Sequence, residues 1–171
     1  MGTVRYGAGR PERGEILESV GGTMEDGKLR QLVDLGEGQR VEFKSGIRET
    51  SAGIESLAAF RNAGGGTVVF GVRDDGTVVG VAVGANTLEQ LANQIPDHTD
   101  PHVYPVIATE VLDGRLLIVV TVEEDRGRGV TYAYGKALIR VGSTNRRMSS
   151  AEETRRHQHA GGWDWNRHGS R

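Results

Sequence analysis

Glu37-Gly38-Gln39-Arg40-Val41-Glu42-Phe43-Lys44 and, one helix later, Gly64-Gly65-Gly66-Thr67-Val68-Val69-Phe70-Gly71-Val72-Arg73-Asp74-Asp75-Gly76 are the two halves of the stretch whose reading decides the fold. In the first half Val41 and Phe43 alternate with Arg40, Glu42 and Lys44, the period of a half-buried strand. In the second, Thr67 to Val72 is a β-branched run bounded by glycine and reads as a central buried strand. Asp74-Asp75-Gly76 is a turn signal, and Thr77 to Val81 reads as the returning strand of a hairpin. Between the halves Ile54, Leu57, Ala58 and Phe60 fall at helical spacing, with Thr50 or Ser51 as the cap and three glycines as the stop.

Upstream, Leu29, Leu32, Val33 and Leu35 predict a short helix stopped by Gly36. Downstream, Leu88, Leu91, Ala92 and Ile95 predict another, ended by Pro96. Val106 to Leu112 and Arg115 to Val122 form the clearest hairpin, around Asp113-Gly114. Two shorter strands, Val130 to Tyr134 and Ala137 to Val141, flank Gly135-Lys136. Residues 142–147 read as a polar turn, and Ser149-Ser150-Ala151-Glu152-Glu153 as the capping-box start of a helix with little apolar surface. Strands and helices mix without strict βαβ alternation, which predicts an α+β fold: one domain with a mixed, mostly antiparallel sheet and two or three packed helices. The expected boundaries are a flexible extension at 1–23, the domain at 24–156 and a disordered basic tail at 157–171.

The 171 residues and their 36% apolar content suffice for one modest core and leave no room for a second full domain. The chain has no cysteine, which excludes disulfides, thiolate zinc sites and cysteine nucleophiles and is compatible with a reducing cytoplasm, the location expected. No run approaches the roughly 20 apolar residues of a membrane span, and the first residues lack a signal-peptide core, so no membrane partner is expected. Charge is segregated: residues 1–125 hold 11 Lys/Arg against 20 Asp/Glu, and residues 126–171 hold 10 against 3. A basic segment on an acidic protein points to a polyanionic partner, or to pairing with its own acidic surface.

The chemistry available is mostly carboxylate. Glu37, Glu42 and Asp74 would hold Mg²⁺ or Mn²⁺ if the two strands bring them together, and Lys44 would meet a phosphate as a point charge. The alternative is that all four are solvated strand-edge charges. Gly64-Gly65-Gly66 reads as a helix stop, and the phosphate-cradling pattern of a P-loop is absent, so the motifs give no reason to expect ATP. His98 and His102 are four apart but flanked by Pro96 and Pro101, so they read as loop residues. Arg126, Arg128, Arg140, Arg146 and Arg147 are candidates for phosphate contacts, against a solubilising surface as the alternative. Tyr132, Tyr134, Trp163 and Trp165 offer stacking faces, with packing the ordinary role of the two tyrosines.

Taken together, Glu37-x(4)-Glu42-Phe43-Lys44, Ala59-Phe60-x-Asn62-x-Gly64-Gly65, Phe70-Gly71-Val72-x-Asp74-x-Gly76 with Gly80, and Ile139-Arg140-Val141-Gly142-Ser143 resemble the Schlafen-type AlbA domain. The resemblance covers roughly residues 25 to 155. It implies nucleic-acid binding, because members of the family bind nucleic acid and animal Schlafen proteins include metal-dependent endoribonucleases acting on transfer and ribosomal RNA. Their acidic triad matches Glu37, Glu42 and Asp74, which would be both catalytic and metal-ligating, and their lysine matches Lys44. The animal proteins carry two such lobes and a zinc site, whereas this chain has one lobe and no cysteine, so a comparable cleft would need a homodimer. The expectation is a divalent-metal-dependent endoribonuclease acting on structured RNA such as tRNA, possible in a toxin or defence setting, with RNA favoured over DNA. The alternatives are a non-catalytic DNA- or RNA-binding regulator or adaptor, and a purely structural interaction domain.

Overall fold

A computed structural model describes residues 3–5, 18–19, 26–127 and 129–160 of the protein. Its elements run β1 (Thr3–Arg5), β2 (Glu18–Ser19), α1 (Asp26–Leu35), β3 (Val41–Lys44), one 3-10 turn (Ile47–Glu49), α2 (Thr50–Arg61), β4 (Gly66–Phe70), α3 (Thr87–Asp97), β5 (Thr99–Asp100), β6 (Val106–Leu112), β7 (Arg115–Val122), β8 (Tyr132–Ala133), β9 (Lys136–Val141), β10 (Thr144–Arg147) and α4 (Ser150–Ala160). The strands divide between two sheets, of order β2-β1-β6-β7-β4-β3 and β10-β9-β8-β5. Among the described residues only β3 and β4 pair in parallel; the remaining ladders are antiparallel. The α+β expectation holds, with two sheets where the sequence suggested one.

The β-branched run becomes β4, and its near-continuous apolar character follows from burial on both faces. Val68 and Phe70 join Ile118, Val120 and Val122 of β7 against Ile54, Leu57 and Phe60 of α2 and Leu91 and Ile95 of α3. Val69, Leu117, Val119 and Phe43 face the other way, against Leu29 and Val33 of α1. Helix α2 lies between the two sheets, which explains its small residues. A Cβ on Gly53 would stand 2.8 Å from Phe70 Cζ. Eight of its twelve residues are buried.

Several elements depart from the sequence reading. Neither Thr50 nor Ser51 caps α2; Thr50 is its first residue and its hydroxyl donates to Ile47 O at 2.6 Å, continuing the preceding 3-10 turn. The expected returning strand at 77–81 reduces to one bridge, Val72 to Val78. Gly71 and Gly80 have φ of 106° and 75°, and Val79 and Gly80 both donate to Gly71 O, so the backbone curls instead of continuing a ladder. Residues 142–147 are not wholly a turn, since Thr144–Arg147 pairs with β9. The strand expected to run from Val130 to Tyr134 is only Tyr132–Ala133, and Tyr134-Gly135 is the turn after it, with φ of 49° and 70°. The extension contributes β1 and β2, which add to the β6 edge. Helix α4 runs four residues past the expected boundary at 156, with the predicted capping box in place: Glu152 N–H donates to Ser149 Oγ at 3.3 Å and Ser149 N–H to Glu152 Oε2 at 2.8 Å. Leu35, expected in the core, is 84% exposed at the end of α1.

Candidate functional site

The five-residue spacing of Glu37 and Glu42 is a turn. Gly38 N–H donates to Val41 O at 2.9 Å and the two residues form an antiparallel bridge, so by register Glu37 falls opposite Glu42. Glu37 Oε1 accepts Phe43 N–H at 2.9 Å, which holds its carboxyl back over β3. Phe43 takes the α1 side of the sheet, so strand alternation turns Glu42 and Lys44 toward α2. That side is covered. Glu42 is therefore 8% exposed, and Lys44 is half-buried.

Two cations neutralise Glu42. Lys44 Nζ donates to its Oε1 at 2.6 Å, and Arg140 Nη1 stands 2.6 Å from its Oε2, out of hydrogen-bonding alignment. Arg140, expected at the surface as a phosphate contact, is 2% exposed. Its Nε donates to Gly38 O and Gly142 O at 2.9 and 3.0 Å, Nη1 to Asn145 Oδ1 at 2.9 Å and Nη2 to Val41 O at 3.1 Å. Its guanidinium lies over the Phe60 ring, 5.0 Å from the centroid. With these partners the side chain ties the second sheet to the glutamate turn.

Asp74 follows β4 on an exposed turn, brought near β3 because Gly71 N–H and Val72 N–H both donate to Lys44 O, at 2.7 and 3.3 Å. Burial raises the Glu37 carboxyl above its ordinary value, against the Phe43 N–H bond, and the charges of Glu42 and Asp74 raise it further. The three acids thus feel one another. They do not form a metal site as arranged: Glu42 Oε2 is sealed from solvent against Arg140, its other oxygen is held by Lys44, and one Glu37 oxygen is held by a backbone N–H. Among the described residues no group of three or more His, Asp or Glu side chains could hold a metal ion.

The late arginines behave differently. Arg126, Arg155, Arg156 and His159 line a cleft of about 470 Å³ between the loop after β7 and α4, with Glu124, Asp125 and Glu152 on its walls. Arg146 reaches that wall through a two-pronged contact with Glu152, at 3.0 and 2.7 Å. Arg147 is exposed on the same strand. Arg128, Trp163 and Trp165 lie outside the described residues. His98 and His102 each bring Nδ1 to a backbone carbonyl, Gln94 O at 2.8 Å and Pro96 O at 2.7 Å, and do not pair.

Sequence reasoning placed Asn62 in the motif but gave it no role. Buried at the end of α2, it donates from Nδ2 to Thr131 O and Leu138 O, both at 2.8 Å, and accepts Thr131 N–H at 2.9 Å. Gln39 is a second clamp, donating to Arg140 O and accepting Gly142 N–H. An asparagine before a glycine run reads as an ordinary helix end, so only the fold reveals the second sheet it grips.

The sequence pattern of the family described as Schlafen, AlbA_2 matches residues 37–149, which run from Glu37 through β10 and leave β1, β2, α1 and α4 outside. No curated protein matches the chain. Among solved structures, the DIP2311 protein from Corynebacterium diphtheriae is similar in fold, with a TM-score of 0.60 at 16% identity over 81% of this chain. This chain spans 29% of the length of that one. The N-terminal domain of a putative ATP-dependent DNA helicase RecG-related protein from Nitrosomonas europaea matches 70% of this chain and 92% of its own, at 25% identity and a TM-score of 0.49.

Proposed function

We propose, on the premise that this chain belongs to the Schlafen AlbA_2 family, that it is a nucleic-acid-binding module that holds the phosphate backbone on its C-terminal basic surface. One observation carries the reading: Arg126, Arg155 and Arg156 line one cleft beside Arg146, sharing its walls with Glu124, Asp125 and Glu152, of which Glu124 pairs with Arg126 at 3.5 Å and Glu152 with Arg146, while the acidic motif is neutralised by the half-buried Lys44 and the buried Arg140. Exposed arginines in such an array contribute a salt-dependent, largely sequence-independent affinity. A regulator or adaptor needs no more than this. Binding of tRNA, single-stranded RNA and single-stranded DNA, followed by fluorescence anisotropy across a salt series, tests it. The expected result is affinity that falls steeply with salt, with a shallower slope in Arg126→Ala/Arg155→Ala; affinity indifferent to salt and to both arginines would overturn it.

The nearness of Glu42 and Asp74 to Glu37, whose carboxyl is raised first by burial and then by their charges, favours a second reading, metal-dependent endoribonuclease activity, because a bound cation would relieve that repulsion. That reading requires Glu42 to leave Lys44 and Arg140. Incubating tRNA with the protein in Mn²⁺ or in EDTA decides it: products that need Mn²⁺ and vanish in Glu42→Gln while binding persists would support it, and intact RNA in Mn²⁺ would remove it.

A further inference from the structure

Helix α4 meets the second sheet at Tyr132 and Arg146. None of its residues is buried, and a helix of eleven residues is marginal on its own in water. Polar and ring contacts hold it. The Glu152 carboxylate fills the fork of Arg146, Glu153 Oε2 accepts the Tyr132 hydroxyl at 2.8 Å, and the His157 imidazole sits beyond that hydroxyl, its centroid 6.3 Å from that of the Tyr132 ring and the planes 13° from parallel. His157 Nε2 is also 3.1 Å from the phenolic oxygen.

The two sheet residues contacted belong together. Tyr132 pairs with Ala137, and Arg146 with Ile139, so strand alternation puts both side chains on one face of the sheet. They stand two strands apart and two residues along, about 12 Å. The carboxylate contacts from α4 have the form a nucleotide would supply. A two-oxygen anion in an arginine fork and a second carboxylate on a tyrosine hydroxyl both stand where the phosphates of a strand would bind.

We propose that the face presenting Tyr132 and Arg146 is a subsite for the phosphate backbone of single-stranded nucleic acid, and that α4 occupies it as a built-in competitor through Glu152 and Glu153. The proposal rests on the nucleic-acid reading above and specifies one of its contact surfaces. Strand and helix exclude each other there, so apparent affinity scales with the fraction of molecules in which α4 has lifted. Few buried apolar contacts oppose that lifting.

The test uses the full chain and a short fluorescein-labelled single-stranded RNA. Glutamine replaces glutamate in a capping box without loss of its role, so Glu152→Gln/Glu153→Gln weakens the two contacts while keeping the helix start. The variant is expected to bind the RNA roughly three- to tenfold more tightly. Adding Arg146→Gln should erase the gain, and RNA should lower the hydrogen-exchange protection of α4 amides in the unmodified chain. Glu89→Gln/Asp97→Asn removes the same charge from α3 and should show no comparable gain; an equal gain there would overturn the proposal. So would unchanged or weaker binding by the Glu152/Glu153 variant with α4 protection indifferent to RNA, a result that leaves the nucleic-acid reading intact. Absence of RNA binding by every form defeats both.

Discussion

Arg140 Nη1 lies 2.6 Å from Glu42 Oε2, and this pair joins β9 of one sheet to β3 of the other. The same guanidinium donates to Gly38 O and Val41 O, so it fixes both the glutamate turn and one of its acids. Two motif segments about a hundred residues apart in sequence, around Glu42 and around Arg140, are therefore two ends of one interaction. Desolvating both charges costs free energy that attraction alone rarely returns, and the additional acceptors around Arg140 offset it.

Replacing Arg140 by Met removes those bonds and leaves Glu42 Oε2 buried without its cation. Lys44 still neutralises the other oxygen, so the expected loss is about 3 kcal/mol, at the low end for breaking a buried pair. Urea unfolding measures it. Glu42→Gln/Arg140→Met should be less destabilised than additivity predicts; a loss near 1 kcal/mol for Arg140→Met, the scale of a surface pair, would refute the structural role.

At Glu37 the sign of a pH effect follows from the direction of its shift. Its folded value lies above the ordinary 4.5, chiefly through burial and then through Glu42 and Asp74, so its contribution is most favourable below 4.5 and is lost as pH rises through the folded value. Glu37→Gln keeps an oxygen to accept Phe43 N–H and removes the charge. The variant should thus gain in melting temperature at neutral pH, with the gain shrinking as pH falls toward 4.5. A melting temperature lowered equally at both ends would show that the carboxylate is needed for the fold.

Asn62 closes the gap between α2 and the second sheet with three hydrogen bonds to backbone, all buried. Asn62→Ala strands three backbone groups at about 1 kcal/mol or more each, for an expected loss of at least 3 kcal/mol in denaturant unfolding. Asn62→Asp should be about as harmful, because its second oxygen would face Thr131 O and Leu138 O where the amide now donates. If Asp were tolerated as well as Asn, the clamp would not be the reason for the asparagine.

What the sequence made legible was whatever depends on local period. β4, the β6–β7 hairpin, α1 and the Ser149 capping box follow from apolar spacing and turn chemistry within short windows. Alternation also put Glu42 and Lys44 on one face correctly, but a polar face reads as a wet one, and here α2 and Arg140 cover it. That error is one of tertiary context: burial of Glu42 depends on a residue 98 positions away, and nothing local to either announces it. Asn62 fails for the same reason. Gly71 and Gly80 misled in a different way, since their left-handed backbone replaced a hairpin that the flanking valines otherwise favour.

Acid should release α4 before it unfolds the core. Glu152 is held down to about 2, first by Arg146 and then by the Ser149 N–H, against an ordinary value of 4.5. A depressed carboxyl contributes fully above its ordinary value and loses that contribution as pH falls through the folded one, so α4 docking should weaken between pH 4.5 and about 2. Amide exchange along residues 150–160 measures this directly. The transition should be absent in Glu152→Gln, whose helix exchange should be faster at neutral pH and flat across that window. Should α4 protection in the unmodified chain persist unchanged to pH 2, the Arg146–Glu152 contact would not be what docks the helix.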